Sequence, residues 1–163
     1  MRLPILILFC TFSIVAFSQE KTEIKEKLYH PEADAMAEIE EAVTTAKVGG
    51  KHIILKIGGN WCVWCYRFHD FCEADEEIKT IVEDNFVTVH VNYSKENKNE
   101  ELMKKYSFPN RFGFPVFVIL DSNGNYLHVQ NSAYLESGKG YDKTKVLSFF
   151  KGWTPAALDE SNY

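Results

Sequence analysis

Two cysteines separated by two residues constrain the fold of this chain more than any other sequence feature. Cys62 and Cys65 open a stretch that predicts a helix over residues 61–73, and the apolar residues 52–57 before them predict a buried strand. A cysteine in the first turn of a helix faces unpaired backbone amides and the positive end of the helix dipole, which stabilise a thiolate. The pattern therefore predicts a redox pair, with Cys62 as the nucleophile and Cys65 as the resolving thiol.

Two other roles for the pair are compatible with its spacing. Cys62 and Cys65 also fit an inert structural bridge or one half of a zinc site. A second Cys-x-x-Cys or His-x-His cluster, which would complete such a zinc site, does not occur in the sequence. Redox chemistry is the interpretation we carry forward, and the other two stay open.

The N-terminal residues 1–18 predict a secretory signal peptide. Arg2 precedes an apolar stretch, residues 3–17, and small residues lead to a cleavage point after Ser18. The stretch is shorter than the roughly 20 residues that span a bilayer. We expect export to a bacterial periplasm, with secretion or an uncleaved anchor as alternatives. Residues 19–32 are then a charged lead-in, and residues 33–163 form one domain.

The order of predicted elements indicates the fold class. Strand patterns alternate with helix patterns, and an Asn-Gly turn joins the last two strands into a hairpin. This order predicts an α/β fold, a central mixed four-stranded sheet with helices on both faces. Besides the strand 52–57 and the helix 61–73, the predicted elements are helices 33–46, 76–84, 99–106 and 142–153, the last capped by Asp142, and strands 86–91, 116–120 and 126–130.

Charge and cysteine count narrow the classes of function. The formal net charge of −5 argues against nucleic-acid binding, which generally requires a basic surface. Cys10 would leave with the signal peptide, so a working pair and Cys72 would remain. A Cys65–Cys72 bridge is disfavoured, because seven helical residues span about 10 Å and a disulfide needs Cα atoms within about 7 Å. We expect Cys72 to be a buried free thiol; pairing with another chain is the alternative.

A soft-metal site can also be drawn on the predicted active-site helix. Cys62, Cys65, His69 and Cys72 share one helical face, and thiolates with an imidazole would suit copper(I). Four ligands along one straight helix cannot all converge on one ion. We therefore expect no metal and take His69 to be a half-exposed surface residue.

Two motifs together resemble the thioredoxin family, in particular its exported thioredoxin-like branch. The first is Trp61-Cys62-Val63-Trp64-Cys65, and the second is Gly113-Phe114-Pro115 at the start of a strand. The resemblance implies a thioredoxin-like fold in which Pro115 follows a cis peptide bond and packs against the cysteines. It also implies that the backbone of Phe114 binds an extended substrate segment.

The resemblance covers roughly residues 52–153 and assigns a substrate groove to Trp61, Val63, Trp64 and Phe114, together with the proline. The residues between the cysteines differ from the Gly-Pro of thioredoxin itself. Because those two positions tune the thiol pKa and the potential in the family, the direction of the reaction stays open. Phe114 is larger than the family's usual residue and is expected to narrow the groove.

Lys56 is the second departure from the family. It occupies the position of a buried aspartate that moves a proton to and from the second cysteine. We predict that Lys56 lies beneath the active site near Cys65, where it tunes the thiol pKa or transfers a proton. The alternative is that its long stem reaches solvent and the ammonium touches neither sulfur.

These observations predict a thiol–disulfide oxidoreductase that acts on protein disulfides outside the cytoplasm. In the resembling exported proteins reduction is the commoner role and a membrane thiol partner supplies electrons, so we expect a reductase with such a partner. We expect a monomer with no cofactor. The alternatives are a non-catalytic client-binding module beside Pro115 and a copper carrier that uses Cys62, Cys65 and His69.

Overall fold

The computed structural model describes residues 27–163, so the predicted signal peptide lies outside the described residues. The helices are α1 (Ala35–Gly49), α2 (Val63–Ala74), α3 (Glu76–Asn85), α4 (Glu100–Lys105) and α5 (Lys143–Gly152). The strands are β1 (His52–Gly58), β2 (Phe86–Asn92), β3 (Val116–Leu120), β4 (Tyr126–Asn131), β5 (Glu136–Ser137) and β6 (Gly140–Tyr141). Single 3-10 turns occupy Pro109–Phe112, Ser132–Leu135, Pro155–Leu158 and Glu160–Asn162.

Four strands form one mixed sheet in the order β2-β1-β3-β4. Strand β1 pairs in parallel with β2 and antiparallel with β3, and β4 returns antiparallel along β3. All seven residues of β1 are buried, as expected for a central strand that helices cover on both faces. The predicted mixed four-stranded α/β fold is confirmed.

Side-chain alternation in β1 separates two cores and also positions the site. Ile53, Leu55 and Ile57 face α1 and α4, whereas Ile54 faces α2, α3 and α5. Gly58 lies four residues after Ile54 and therefore on the α2 side of the sheet. The strand thus points directly at the N-terminus of α2.

Local sequence signals explain where the elements end. Asp142 caps α5 as predicted, because its carboxylate accepts the backbone N–H of Lys145 at 3.0 Å. The two helices after the cysteines separate at Asp75, whose extended backbone ends α2 and whose carboxylate caps α3. The short β5–β6 pair was not predicted. None of the helices within residues 27–163 is long and apolar enough to cross a bilayer.

Candidate active site

The cysteine pair lies at the junction of β1 and α2 and is joined in a disulfide. Cys62 is the N-cap of α2, and its Sγ accepts the backbone N–H of Cys65 at 3.1 Å. The Cα atoms are 5.3 Å apart, and both residues are buried. The predicted placement of Cys62 at a helix N-terminus is confirmed, so backbone amides and the helix dipole act on its sulfur.

Apolar side chains form an exposed rim on one side of the disulfide. Trp61 is 57% exposed and Val63 is 60% exposed, although both are large apolar residues. The indole of Trp61 is held in place, since its Nε1 donates to the carbonyl of Tyr93 at 2.8 Å and its ring meets the edge of Phe114 at 5.4 Å. Fixed, solvent-facing apolar surface of this kind is typical of a protein-binding site.

The loop before β3 completes the site on a second side. The Phe114–Pro115 peptide bond is cis, as the family resemblance implied. Pro115 is buried. Phe114 and Trp64 pack against the cluster formed by both cysteines and Tyr29. The structure thus brings together the predicted cysteines and the predicted groove residues.

Gly58 forms the floor of the site at the end of β1. A Cβ atom on residue 58 would lie 2.5 Å from the Sγ of Cys65 and 2.7 Å from the phenolic oxygen of Tyr29. Both distances are shorter than side-chain packing allows. Because Gly58 has no side chain, the sulfur of Cys65 and the hydroxyl of Tyr29 can both pack against its Cα.

Tyr29 comes from the segment before α1 and is only 2% exposed. The side chain of Asn60 fixes its backbone on both sides: the N–H of Tyr29 donates to Oδ1 at 3.1 Å, and Nδ2 donates to the carbonyl of Tyr29 at 2.7 Å. The hydroxyl of Tyr66 on α2 also donates to Oδ1 of Asn60, at 3.0 Å. One amide thus ties the N-terminal segment to the active-site helix.

Two titratable side chains, buried Lys56 and partly buried His90, lie on the α2 side of the sheet. Lys56 and His90 are partners in the β1–β2 register, and Lys56 is only 7% exposed. Burial lowers the pKa of Lys56, while the Cys72 thiol and the Glu73 carboxylate act in the opposite direction. Burial, assisted by the charge of Lys56, lowers the pKa of His90 to about 3. His90 is therefore neutral at neutral pH.

Cys72 and His69 follow the active-site pair along α2. Cys72 is buried and free, as predicted, and burial raises the pKa of its thiol to about 12. His69 is partly buried, and its ring lies 6.3 Å from that of His90. Within residues 27–163 no three histidine, cysteine, aspartate or glutamate side chains are grouped so that they could hold a metal ion.

Sequence reasoning missed three residues of this site. His90 lies in the predicted strand 86–91, where side-chain alternation would have placed it on the face opposite Val89 and Val91. Asn60 stands just before the motif, but nothing in its type indicates that it binds a backbone 31 residues away. Tyr29 carried no signal, because its burial depends on that long-range contact.

Three comparisons with known proteins show what this chain is similar to. The family described as Thioredoxin-like matches residues 34–122, more than half of the chain. The thiol:disulfide interchange protein DsbD of Actinobacillus pleuropneumoniae is 24% identical over 134 residues, 75% of this chain and 22% of that protein. The disulfide bond reductase DsbH of Chlamydia pneumoniae is 30% identical over 96 residues, 53% of this chain and 56% of that protein.

A solved structure, described as a disulphide isomerase from Xylella fastidiosa Temecula1, shares the fold with a TM-score of 0.68 and 23% identity. The match covers 78% of this chain and 96% of the other. Among the curated relatives, however, the chain spans only about a fifth of DsbD and just over half of DsbH. The chain, with its Cys62–Cys65 disulfide at the start of α2, belongs to the thioredoxin-like family.

Proposed function

We propose that this protein reduces disulfides of other proteins outside the cytoplasm, most simply in a bacterial periplasm, and works as a monomer. The observation that carries the proposal is the placement of Cys62 at the N-terminus of α2, beside an exposed apolar rim formed by Trp61 and Val63. The signal-like residues 1–18 support export. The DsbH relative is named a disulfide bond reductase, which supports the direction.

The reaction proceeds in two exchanges. The thiolate of Cys62 attacks one sulfur of the substrate disulfide, a mixed disulfide forms, and the other substrate sulfur leaves as a thiolate. The thiolate of Cys65 then attacks Cys62 Sγ, which closes the Cys62–Cys65 disulfide and releases the second substrate thiolate. Two electrons pass to the substrate. A thiol donor, which we propose to be a membrane protein, must return them to the pair.

The substrate groove extends from the rim to the loop before β3. We propose that Trp61, Val63 and Trp64 contact the client's side chains, and that the backbone of Phe114, held by Pro115, binds an extended client segment. The fixed indole of Trp61 and the partly buried ring of Phe114 support this assignment.

Trapping of mixed disulfides tests the function. The Cys65→Ser variant, expressed with its full N-terminus, is expected to retain clients and the thiol donor in bands that disappear on reduction, because the resolving thiol is absent. Cys72→Ser is the matched control and should retain none. If Cys65→Ser retains no partner while the protein is folded and exported, the function is that of a non-covalent binding module or a metal carrier instead.

The equilibrium potential of the Cys62–Cys65 pair against glutathione tests the direction. A reductase is expected to have a potential nearer the value of about −270 mV found for thioredoxin than the value of about −120 mV of strongly oxidising members of the fold. A potential at the oxidising end would overturn the direction and leave the exchange chemistry intact.

A further inference from the structure

We propose that the hydroxyl of Tyr29 donates a hydrogen bond to the sulfur of Cys65 when the Cys62–Cys65 disulfide opens. The hydrogen bond stabilises the Cys65 thiolate, which is the leaving group during reduction of the pair. This inference rests on the thiol–disulfide exchange proposed above. It adds a residue from the segment before α1, which lies outside both sequence motifs.

Gly58 allows the sulfur of Cys65 and the phenolic oxygen of Tyr29 to lie close together. The position of a Cβ on Gly58 is 2.5 Å from Cys65 Sγ and 2.7 Å from the phenolic oxygen of Tyr29. The two atoms are therefore no further apart than the sum of these distances. A small movement of the sulfur as the disulfide opens places it within reach of the hydroxyl, and a phenol is a hydrogen-bond donor.

The phenol is held in place before any reaction begins. Tyr29 is 2% exposed, and Asn60 binds both its N–H and its carbonyl. Its ring packs at right angles against that of His90, with 5.6 Å between the centroids. Because the side chain is already ordered, the hydrogen bond to the thiolate needs little further loss of conformational freedom.

Three other titratable groups, Tyr66, Lys56 and His90, fit this role less well. Burial raises the pKa of Tyr29 above its ordinary value, so the hydroxyl keeps its proton where cysteine thiolates form. The hydroxyl of Tyr66 already donates to Asn60. The titratable groups that act on Lys56 are Cys72 and Glu73, further along α2. Burial keeps His90 neutral.

The proposed step is balanced without a further reagent. An incoming thiolate attacks Cys62 Sγ, a new sulfur–sulfur bond forms there, and the Cys62–Cys65 bond breaks with its electron pair on Cys65. Tyr29 keeps its proton and shares it with the new thiolate, which later takes a proton from solvent. In the reverse direction the Cys65 thiolate attacks through the same transition state, so Tyr29 acts on both reactions.

The Tyr29→Phe variant removes one oxygen atom and retains the ring. We expect the reduction of the oxidised variant by glutathione to be about tenfold slower, since a hydrogen bond to a charged group contributes at least this factor. In a Cys62→Ala background, Tyr29→Phe is expected to raise the proton affinity of the Cys65 thiolate about tenfold, as followed by thiolate absorbance against pH. Tyr106→Phe is the matched control, because it removes a buried hydroxyl on the opposite face of the sheet.

The outcomes separate the two proposals. If the parent protein cannot be reduced and reoxidised at its cysteine pair, the proposed function fails. If the parent reacts and Tyr29→Phe matches Tyr106→Phe in both rate and proton affinity, the role of Tyr29 is overturned. Asn60→Ala is a second test, since it retains the hydroxyl but removes its anchor. It is expected to slow the reduction by a smaller factor, and an unchanged rate would count against the proposal.

Discussion

The sulfur of Cys62 accepts the backbone N–H of Cys65 at 3.1 Å, so the nucleophile is also the cap of the helix that carries its partner. After reduction the same N–H faces a thiolate instead of a disulfide sulfur. Hydrogen bonds to a charged acceptor are stronger than those to a neutral one. The local geometry of α2 therefore favours the ionised form of Cys62.

The order in which the thiols are alkylated tests this relationship. In the reduced protein at mildly acidic pH, iodoacetamide is expected to label Cys62 at least about tenfold faster than Cys65, because only the thiolate reacts. Cys72 should react last, since burial raises its pKa to about 12. Mass mapping of the labelled peptides measures the order, and faster labelling of Cys65 or Cys72 contradicts the assignment of the nucleophile.

Substitution of Gly58 is expected to disturb the site from below. The added methyl group of Gly58→Ala would press on both Cys65 Sγ and the Tyr29 hydroxyl, and overpacking of this kind destabilises a protein by about 1–3 kcal/mol. Gly140→Ala is the control, because a Cβ at that position meets nothing within 4 Å. Urea unfolding measures the free energy of unfolding of both variants. If Gly58→Ala loses as little stability as Gly140→Ala, the residues around Gly58 can move to make room for the methyl group.

His90 is expected to make the fold sensitive to acid. Its pKa falls from 6.5 to about 3 on folding, so the unfolded chain binds the extra proton between these values. The stability that the neutral imidazole contributes is complete above pH 6.5 and is lost as the pH falls towards 3, with a slope of at most about 1.4 kcal/mol per pH unit. His90→Gln should lose this part of the pH dependence. The exposed His30→Gln is the control, and parallel curves for parent and His90→Gln would refute the expectation.

Replacement of Lys56 by methionine is expected to stabilise the fold at neutral pH by about 1 kcal/mol or more, because it removes a buried charge. Folding lowers the pKa of Lys56, so the parent gains stability as the pH rises towards the ordinary lysine value of 10.5, and its difference from Lys56→Met narrows. Lys139→Met, at an exposed position, should show no such effect. A destabilised Lys56→Met at neutral pH would indicate that the ammonium has a favourable partner.

The reduction potential of two Lys56 variants tests whether that residue acts on the cysteine pair. If its charge stabilises the Cys65 thiolate, both Lys56→Met and Lys56→Asp are expected to have a lower potential than the parent. If it serves as a base, Lys56→Met should keep the potential but resolve mixed disulfides slowly, and Lys56→Asp should recover part of the rate. Unchanged values in both variants would show that Lys56 takes no part.

Short-range signals in the sequence were sufficient for most of the fold and for the sulfur chemistry. The motif at Cys62 and Cys65, the cap at Asp142 and the central strand each depend on residues close together in the chain. The cis bond before Pro115 followed from the family resemblance. These features are predictable because local backbone chemistry, such as capping and side-chain alternation, determines them.

The remaining features depend on contacts between distant segments. Buried Tyr29 is hydrogen-bonded to Asn60, 31 residues away, and Lys56 is buried although lysine is usually exposed. The β5–β6 pair has two residues in each strand, too few for a periodic pattern. Tertiary packing determines such features, and the residue types involved are common at the surfaces of other proteins.

The two hydrogen bonds between Asn60 and Tyr29 attach a residue that lies before the start of the family match to the active site. The family match starts at residue 34, and a protein trimmed to that boundary would keep every strand and helix of the sheet and both cysteines. It would nevertheless lose the phenol beside Cys65 and leave the Asn60 amide without its main-chain partners. If Tyr29 acts as we propose, such a piece would carry all the secondary structure of the family match but an incomplete reaction centre.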